Sequence, residues 1–145
     1  MFSVFEGTRE DDVPGQDGIL NLMTIRSHDQ YNTTIYGLVD RYRGVFGRRD
    51  VLFMNPSDLA AAGLEHGDLA DVETTSSGRA LRLDGVTAIE YDIAVGSVAA
   101  YYPEANVLVA LDHFDHDSGT PSYKSVPVRV THARNQVATL AASCK

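Results

Sequence analysis

Short strand-like segments separated by turn residues make up most of this chain of 145 residues. In residues 19–26, Leu20, Leu22 and Thr24 alternate with the side chains of an opposite face, which is the pattern of a half-buried strand. Further strands are predicted at 51–54, 69–75, 79–83, 86–93, 97–101, 107–111 and 125–132. Many short strands at close spacing favour a closed or nearly closed β-barrel. Pro127, inside the last strand, indicates an edge position or a bulge, because proline cannot donate to a strand ladder.

One segment, residues 55–63, has the pattern of a helix. Asn55 can cap its first turn, Pro56 stands where a missing N–H costs nothing, and Gly63 ends it. We therefore expect a mainly β fold with one or two short helices. The expected domain organisation is an irregular segment at 1–18, the barrel at 19–131 and a weakly ordered tail at 132–145.

The amino-acid composition argues against several classes of partner. A net charge of −8 disfavours nucleic acid, because proteins that bind phosphate backbones concentrate Lys and Arg on one face, and it disfavours anionic membrane surfaces. No apolar run approaches the length of a membrane span, and the N-terminal residues lack the pattern of a signal peptide. Cys144 is the single cysteine, so an internal disulfide and a cysteine-based metal cluster are excluded. A cytoplasmic location is expected.

A cluster of polar side chains follows the first predicted strand. Within nine positions the chain carries Arg26, His28, Gln30, Asn32, Thr33 and Thr34. Amides and hydroxyls both donate and accept, and the guanidinium group is a planar fork of donors suited to phosphate or carboxylate. The cluster predicts a site for a flat, phosphorylated ligand rich in heteroatoms. The alternative is a loop and helix start capped by Asn32 or Thr33, but capping uses one side chain and leaves the others unexplained.

Two later loops are further candidates for ligand contacts. In residues 101–106 the tyrosines can flank a planar ring while Asn106 reaches the edge of that ring. In residues 118–124 the Ser, Gly and Thr can present donors, and Lys124 adds a positive charge where an anion would bind. The alternative for both loops is an ordinary turn, because Gly, Pro, Asn and Ser populate turns for local reasons.

Residues 112–117, Asp-His-Phe-Asp-His-Asp, gather five potential metal ligands in six positions. Neighbouring side chains of an extended loop point apart, whereas a metal site needs ligands that converge. We therefore expect a solvated acidic loop. The remaining histidines are isolated, and no P-loop, nucleophile elbow or dinucleotide-binding glycine pattern is present, so the residues alone define no catalytic site.

Residues 24–33, Thr-Ile-Arg-Ser-His-Asp-Gln-Tyr-Asn-Thr, resemble the start of the C-terminal molybdopterin dinucleotide-binding domain of molybdenum and tungsten oxidoreductases. The nearest resemblance is to formate dehydrogenase-like alpha subunits, because residues 40–44, Asp-Arg-Tyr-Arg-Gly, are similar to a segment typical of that branch. Further stretches that fall in the order of the family lie at 55–58 with 63–68, 96–98, 102–108 and 118–128. Five weak motifs in the same order make a specific pattern that covers most of the chain.

The resemblance implies a double-psi β-barrel that binds bis(molybdopterin guanine dinucleotide) as part of a much larger catalytic chain. Carried over by position, the implied cofactor contacts are Thr24, Arg26, Gln30, Asn32, Thr33, Asn106, Ser118, Tyr123 and Lys124. By their chemistry, Arg26 and Lys124 suit the phosphates, while Gln30 and Asn106 suit the edges of fused rings.

The resemblance also implies partners, because relatives usually carry an iron–sulfur domain and a side chain that binds the metal. We expect molybdenum or tungsten to be bound through the remaining domains of the parent oxidoreductase, and this chain alone to be inactive. A stand-alone small subunit is an alternative to a domain. A cofactor-free interaction module is favoured if the 26–34 and 106 loops face different sides of the barrel, and a self-processing barrel enzyme would require cleavage at Gly96-Ser97.

Overall fold

The computed structural model describes residues 18–33, 35–74 and 80–133. Its strands are β1 (Ile19–Ile25), β2 (Val39–Asp40), β3 (Val45–Phe46), β4 (Val51–Met54), β5 (Leu69–Thr74), β6 (Arg82–Glu90), β7 (Ser97–Tyr101) and β8 (Val126–His132). The helices are α1 (Pro56–Ala61) and a 3₁₀ helix (Glu104–Leu108). The predicted N-terminal segment, the tail with Cys144, and Thr34 lie largely or wholly outside the described residues.

Six strands form a closed barrel in the order β1-β7-β4-β6-β5-β8, and β2 and β3 form a separate hairpin. Two pairs of neighbours are parallel: β1 with β7, where Leu22 lies opposite Val98, and β4 with β6, where Leu52 lies opposite Ala88. The other neighbours are antiparallel. This is a double-psi β-barrel, and the expected mainly β fold with few helices is confirmed.

The barrel interior follows from the alternation seen in the sequence. Leu20, Leu22 and Thr24 are buried and the residues between them are less so, as the pattern of β1 predicts. β4 is buried on both faces, because a second apolar cluster covers its outer side. That outer cluster consists of Val45, Val51, Phe53, Ala99 and Tyr101. It joins the barrel wall to the β2–β3 hairpin.

The predicted helix forms with the predicted caps. The Asn55 side chain accepts a 2.9 Å hydrogen bond from the backbone N–H of Ser57, and Pro56 is the first helical residue. Gly63 has a φ of +68°, the left-handed conformation in which glycine commonly ends a helix. The Asn55 amide also donates to the carbonyl of Ile93 at 2.7 Å, which attaches the start of the helix to the segment after β6.

The two strands predicted at 79–83 and 86–93 were wrong as separate elements, because residues 82–90 form the single strand β6. Gly85, between the two predicted strands, has a φ of +69°. In the structure this glycine belongs to a bulge: two residues, Asp84 and Gly85, lie opposite one residue, Asp71, of β5. The Asp71 carboxylate accepts a 3.0 Å hydrogen bond from the N–H of Gly85, so the strand continues through the irregularity.

The strand predicted at 107–111 was also wrong, since residues 104–108 form a 3₁₀ helix. Ala105 and Leu108 are fully buried, whereas Val107 is half exposed and Leu111 is fully exposed. Residues three apart share one face of a 3₁₀ helix, so the burial of this pair follows a period of three and not the period of two of a strand.

Pro127 was predicted to mark an edge or a bulge. No bulge occurs, because the register of β8 with β1 is continuous and places Pro127 opposite Asn21. β8 as a whole has a neighbour on each side of the closed barrel, but the described register with β5 begins at Val128, one residue after the proline. β8 extends to His132.

Candidate functional site

A groove of about 250 Å³ lies at the end of β1. Its lining comes from three separate stretches of chain: Thr24, Arg26 and Asn32, then Tyr102 and Asn106, then Tyr123 and Lys124. Six of the nine predicted contacts thus meet in one place. The three that do not line it are Gln30, Thr33 and Ser118.

The barrel topology explains why distant segments meet here. β1 and β7 are parallel, so the residues that follow Ile25 and Tyr101, which lie opposite each other, leave the barrel at the same end. The third segment is attached by the backbone, because the N–H of Thr24 donates to the carbonyl of Tyr123 at 2.9 Å. Tyr102 adds a link across the groove, since its hydroxyl donates to the carbonyl of Tyr31.

The groove carries two cationic side chains. Arg26 donates to the side-chain oxygen of Asn32, and the Lys124 ammonium donates to the carbonyl of Thr24. Within the described part of the chain, no carboxylate lines this groove. Burial lowers the pKa of Lys124, and the positive charge of Arg26 lowers it further. The two cations therefore repel each other, and an anion bound between them would relieve that repulsion.

Three predicted site residues have other partners. The Gln30 side chain is buried behind the groove, where its amide nitrogen donates to the carbonyls of Thr33 and Tyr102 at 3.2 and 3.0 Å. Thr33 is exposed and its hydroxyl forms a local turn with Ile35. Ser118 lies in an exposed loop, and its hydroxyl donates to Asp115 at 2.8 Å.

Arg49, which was not among the predicted residues, supports the groove from behind. Its guanidinium group is almost fully buried and donates to the hydroxyl of Ser27 at 2.6 Å and to the side-chain oxygen of Gln30 at 3.0 Å. It also donates to the carbonyl of Tyr102 at 2.7 Å and to the carboxylate of Glu104 at 2.7 Å. One side chain therefore fixes both the segment after β1 and the segment after β7.

The Arg49 guanidinium group also lies against two aromatic rings. Its central carbon is 3.7 Å from the ring centre of Tyr36 and 4.7 Å from that of Tyr101. Such contacts stabilise a desolvated guanidinium group. The sequence offers little signal for this role, because the neighbouring Arg48 has the same chemistry and is exposed.

The segment at 40–44 has a structural role that its sequence alone does not explain. Asp40 is buried, and its carboxylate accepts from the hydroxyl of Tyr101 at 2.8 Å and from Arg43 at 2.6 Å. Arg43 also donates to the carbonyl of Arg26 at 3.2 Å. The segment therefore ties the hairpin and the barrel wall to the backbone at the groove.

The charges at this contact shift two pKa values in opposite directions. Burial raises the pKa of Asp40, but the hydrogen bonds from Tyr101 and Arg43 lower it by more, so it lies below its ordinary value. Burial and the Asp40 carboxylate raise the pKa of Tyr101 well above its ordinary value. At neutral pH the pair is an ionised carboxylate and a neutral phenol.

The acidic run at 112–117 forms an exposed loop closed by a single bridge between Phe114 and Pro121. The Asp115 carboxylate accepts from the N–H of Ser118 at 2.8 Å. Among the described residues no group of three or more His, Cys, Asp and Glu is placed to hold a metal ion. No helix of the described residues is long and apolar enough to span a membrane.

Comparison with known proteins shows the family to which the chain belongs. Residues 20–127 match the family model described as Molydopterin dinucleotide binding domain. The chain is 50% identical over 123 residues to an uncharacterized oxidoreductase of Mycobacterium tuberculosis strain H37Rv, covering 81% of this chain and 16% of that protein. It is 41% identical over 132 residues to Protein YdeP of Escherichia coli K12, covering 89% of this chain and 17% of that protein.

Among solved structures, acetylene hydratase from Pelobacter acetylenicus matches with a TM-score of 0.58 and 15% sequence identity. The match covers 79% of this chain and 18% of that structure, and it supports the fold alone. The chain spans about a sixth of the length of the curated relatives.

Proposed function

Because this chain belongs to the Molydopterin dinucleotide binding domain family, we propose that its groove binds part of a molybdopterin guanine dinucleotide cofactor in a larger oxidoreductase. The observation that carries the proposal is the pair of cations, Arg26 and Lys124, which share a groove that no carboxylate of the described residues lines. A pyrophosphate group is the part of such a cofactor that two adjacent cations suit best.

The other groove residues also suit this ligand. The amide of Asn106 offers a donor and an acceptor to the edges of fused rings, the amide nitrogen of Asn32 offers a donor while its oxygen accepts from Arg26, and the exposed ring of Tyr123 offers an apolar surface. Gln30 was expected to be a ring contact, but its amide is occupied by Arg49 and backbone carbonyls. We assign Gln30 the role of positioning the groove wall.

The size of the groove supports a shared binding site. Pockets that enclose a drug-sized ligand have volumes of roughly 300–1,000 Å³. This groove, at about 250 Å³, is smaller than that range, although a dinucleotide cofactor is a large ligand. We infer that other domains of the enzyme cover the rest of the cofactor and would hold its metal. The bound cofactor supplies redox chemistry, while this chain binds and orients it.

We further propose that the chain is the C-terminal domain of a formate dehydrogenase-like enzyme, with molybdenum or tungsten at the metal position. The support is the Asp-Arg-Tyr-Arg-Gly segment at 40–44 together with the order of the motifs. The cofactor-free interaction module is disfavoured, because the segment after β1 and Asn106 line one common groove instead of opposite sides of the barrel.

The test is the cofactor content of the enzyme that contains this chain, purified from its native host. We expect guanine dinucleotide together with molybdenum or tungsten. The variants Arg26→Ala and Lys124→Ala should each weaken cofactor retention about tenfold or more, because each removes a charge-assisted hydrogen bond. Arg129→Ala is the matched control, since Arg129 is exposed on β8 and does not line the groove.

A native enzyme that contains neither metal nor guanine dinucleotide contradicts the proposal. So does an equal loss of cofactor from the Arg129→Ala control. The formate dehydrogenase-like assignment is tested separately, by formate-dependent reduction of an artificial acceptor. A cofactor-loaded enzyme that does not oxidise formate would contradict this assignment and leave the binding role intact.

A further inference from the structure

The β2–β3 hairpin has one face on the barrel and one face in solvent. Asp40 and Val45 lie opposite each other across the two strands, and both are buried. Val39 and Phe46 form the next cross-strand pair, with 52% and 63% of their surfaces exposed. Successive side chains of a strand point to opposite faces, so this exposed apolar pair is a direct consequence of burying the other pair.

The other exposed apolar side chains of this segment lie elsewhere. By the same alternation Leu38, about half exposed, lies on the side of Asp40, and the ring of Tyr42, in the turn, packs edge-on against His28 at 4.3 Å between ring centres. We therefore call the exposed pair, Val39 and Phe46, the hairpin face. Adjacent exposed apolar side chains on a rigid element favour a surface that another protein covers.

The hairpin face is held in a fixed position. The hydroxyl of Tyr101 in β7 donates to Asp40 at 2.8 Å, and the N–H of Gly47 donates to the carbonyl of Leu38 at 2.7 Å. Val45 packs in the outer apolar cluster. An isolated hairpin of this length would be unstable in water, so these contacts determine the orientation in which its apolar side faces outward.

The charge of the hairpin differs from that of the whole chain. Its one acidic residue, Asp40, is buried and bonded to Arg43. Arg41 is exposed beside the ring of Tyr42, at 5.1 Å, and its Nη2 lies 3.1 Å from Nε2 of His28, which is also 3.1 Å from the exposed carboxylate of Asp29. Within the described residues no carboxylate pairs directly with Arg41, so in a chain of net charge −8 this edge of the hairpin carries an exposed cation.

We propose that the hairpin face is the docking surface for another domain of the same enzyme. The relatives are about six times longer than the matched region, so most of such an enzyme lies outside this barrel. The complementary surface is apolar at its centre, with a carboxylate opposite Arg41. The inference rests on the proposed place of the chain in a larger enzyme, but not on cofactor binding in the groove.

The test is site-specific photo-crosslinking in the enzyme that contains this chain. With Phe46→p-benzoylphenylalanine, irradiation should join position 46 to a peptide from outside residues 19–132 of this chain. The matched control is the same substitution at Leu69, which is 49% exposed at the start of β5 and lies outside the hairpin. The control should yield much less of that product.

Three results would overturn the proposal. These are a crosslink between two hairpins of separate copies, a crosslink to lipid when membranes are present, and equal yields at positions 46 and 69. A charge test supports the assignment of the partner surface: Arg41→Glu should lower the yield from position 46 about fivefold or more, because it places like charges together. Arg129→Glu should leave the yield unchanged.

The cofactor content of these variants separates this proposal from the proposed function. A crosslink from position 46 in an enzyme without cofactor would support docking and contradict the function of the groove. Normal cofactor content without the crosslink would support the function of the groove and contradict docking.

Discussion

Arg49 and Glu104 form a two-point ion pair behind the groove, with Nε of the arginine 2.7 Å from Oε1 and Nη2 3.2 Å from Oε2. Only 4% of the Arg49 side chain is exposed. Because the same guanidinium group also donates to the carbonyl of Tyr102, the pair determines where the 3₁₀ helix and the aromatic wall of the groove lie.

Replacement of Arg49 should be strongly destabilising. Arg49→Ala leaves Glu104, whose side chain is 26% exposed, without its partner and removes the buried donor to Ser27 and Gln30, and each buried acceptor left without a donor costs about 1–3 kcal/mol. Arg49→Lys keeps the charge but cannot reproduce the planar fork of donors. It should therefore be destabilising, but less so than Arg49→Ala. The measurement is the free energy of unfolding in urea.

The adjacent arginine is the matched control for this prediction. Arg48 pairs with Asp50 at 2.6 Å, but both side chains are about half exposed. An exposed pair contributes about 0–1 kcal/mol, so Arg48→Ala should have a small effect. Equal losses for the two arginines would contradict the role assigned to Arg49.

The neighbouring residues Arg48 and Arg49 show which contacts cannot be predicted from sequence. The strand alternation, the helix caps and the polar residues at strand ends are local signals, and they predicted the barrel, α1 and most of the groove lining. The partners of Arg49 lie 22 residues away at Ser27 and 55 residues away at Glu104. Such partners depend on barrel closure, so no local pattern distinguishes Arg49 from Arg48. The same holds for Pro127, whose partner across the sheet, Asn21, is distant in sequence.

Asp40 should make the stability of the protein depend on acid pH. Its folded-state pKa is below the ordinary value of 3.8, so the carboxylate stabilises the fold above that pH, and the contribution is lost as pH falls through the folded-state pKa. Asp40→Asn should therefore cost about 1.5–3 kcal/mol at pH 7, with a smaller difference from the unsubstituted protein below pH 4. Urea unfolding at several pH values measures it.

Asp50→Asn is the control for the acid prediction, since Asp50 also pairs with an arginine but is 56% exposed. Its effect at pH 7 should stay below about 1 kcal/mol. If Asp40→Asn costs the same at pH 3 and at pH 7, then the charge of Asp40 is not what stabilises the hairpin contact.

Anion binding to the groove should weaken at high pH. Burial and Arg26 lower the pKa of Lys124 below the ordinary 10.5, so its positive charge is lost earlier than that of an exposed lysine as pH rises. We expect the affinity for inorganic pyrophosphate to begin its fall below that pH. Lys124→Arg should remove this dependence, because a guanidinium group stays charged, and calorimetric titration measures both proteins. An identical pH profile for the two would exclude Lys124 as the group involved.

Asn55 has two separable roles at the start of α1. Its side-chain oxygen caps the helix and its amide nitrogen donates to the carbonyl of Ile93 at 2.7 Å. Asn55→Ala should cost about 1–2 kcal/mol, because both bonds are lost.

Asn55→Asp keeps the capping oxygen but places a carboxylate against the carbonyl of Ile93. It should therefore also be destabilising, although aspartate caps helices as well as asparagine does. Thermal unfolding measures both; a neutral Asn55→Asp would mean that the bond to Ile93 contributes nothing.

Gly85 lies between the two strands predicted at 79–83 and 86–93, and in the structure it allows β6 to continue past Asp71. A Cβ at this position would meet nothing within 4 Å, so the cost of a side chain there is the strain of a positive φ alone. For a residue with a side chain this strain is about 1–2 kcal/mol. Gly85→Ala should therefore lower the free energy of unfolding by that amount.

Gly37→Ala is the control: the φ of Gly37 is not in the left-handed range, and the nearest contact of an added Cβ would be at 4.0 Å. That substitution should be neutral or slightly stabilising. If both glycines respond alike in urea unfolding, the bulge does not depend on the conformation of Gly85.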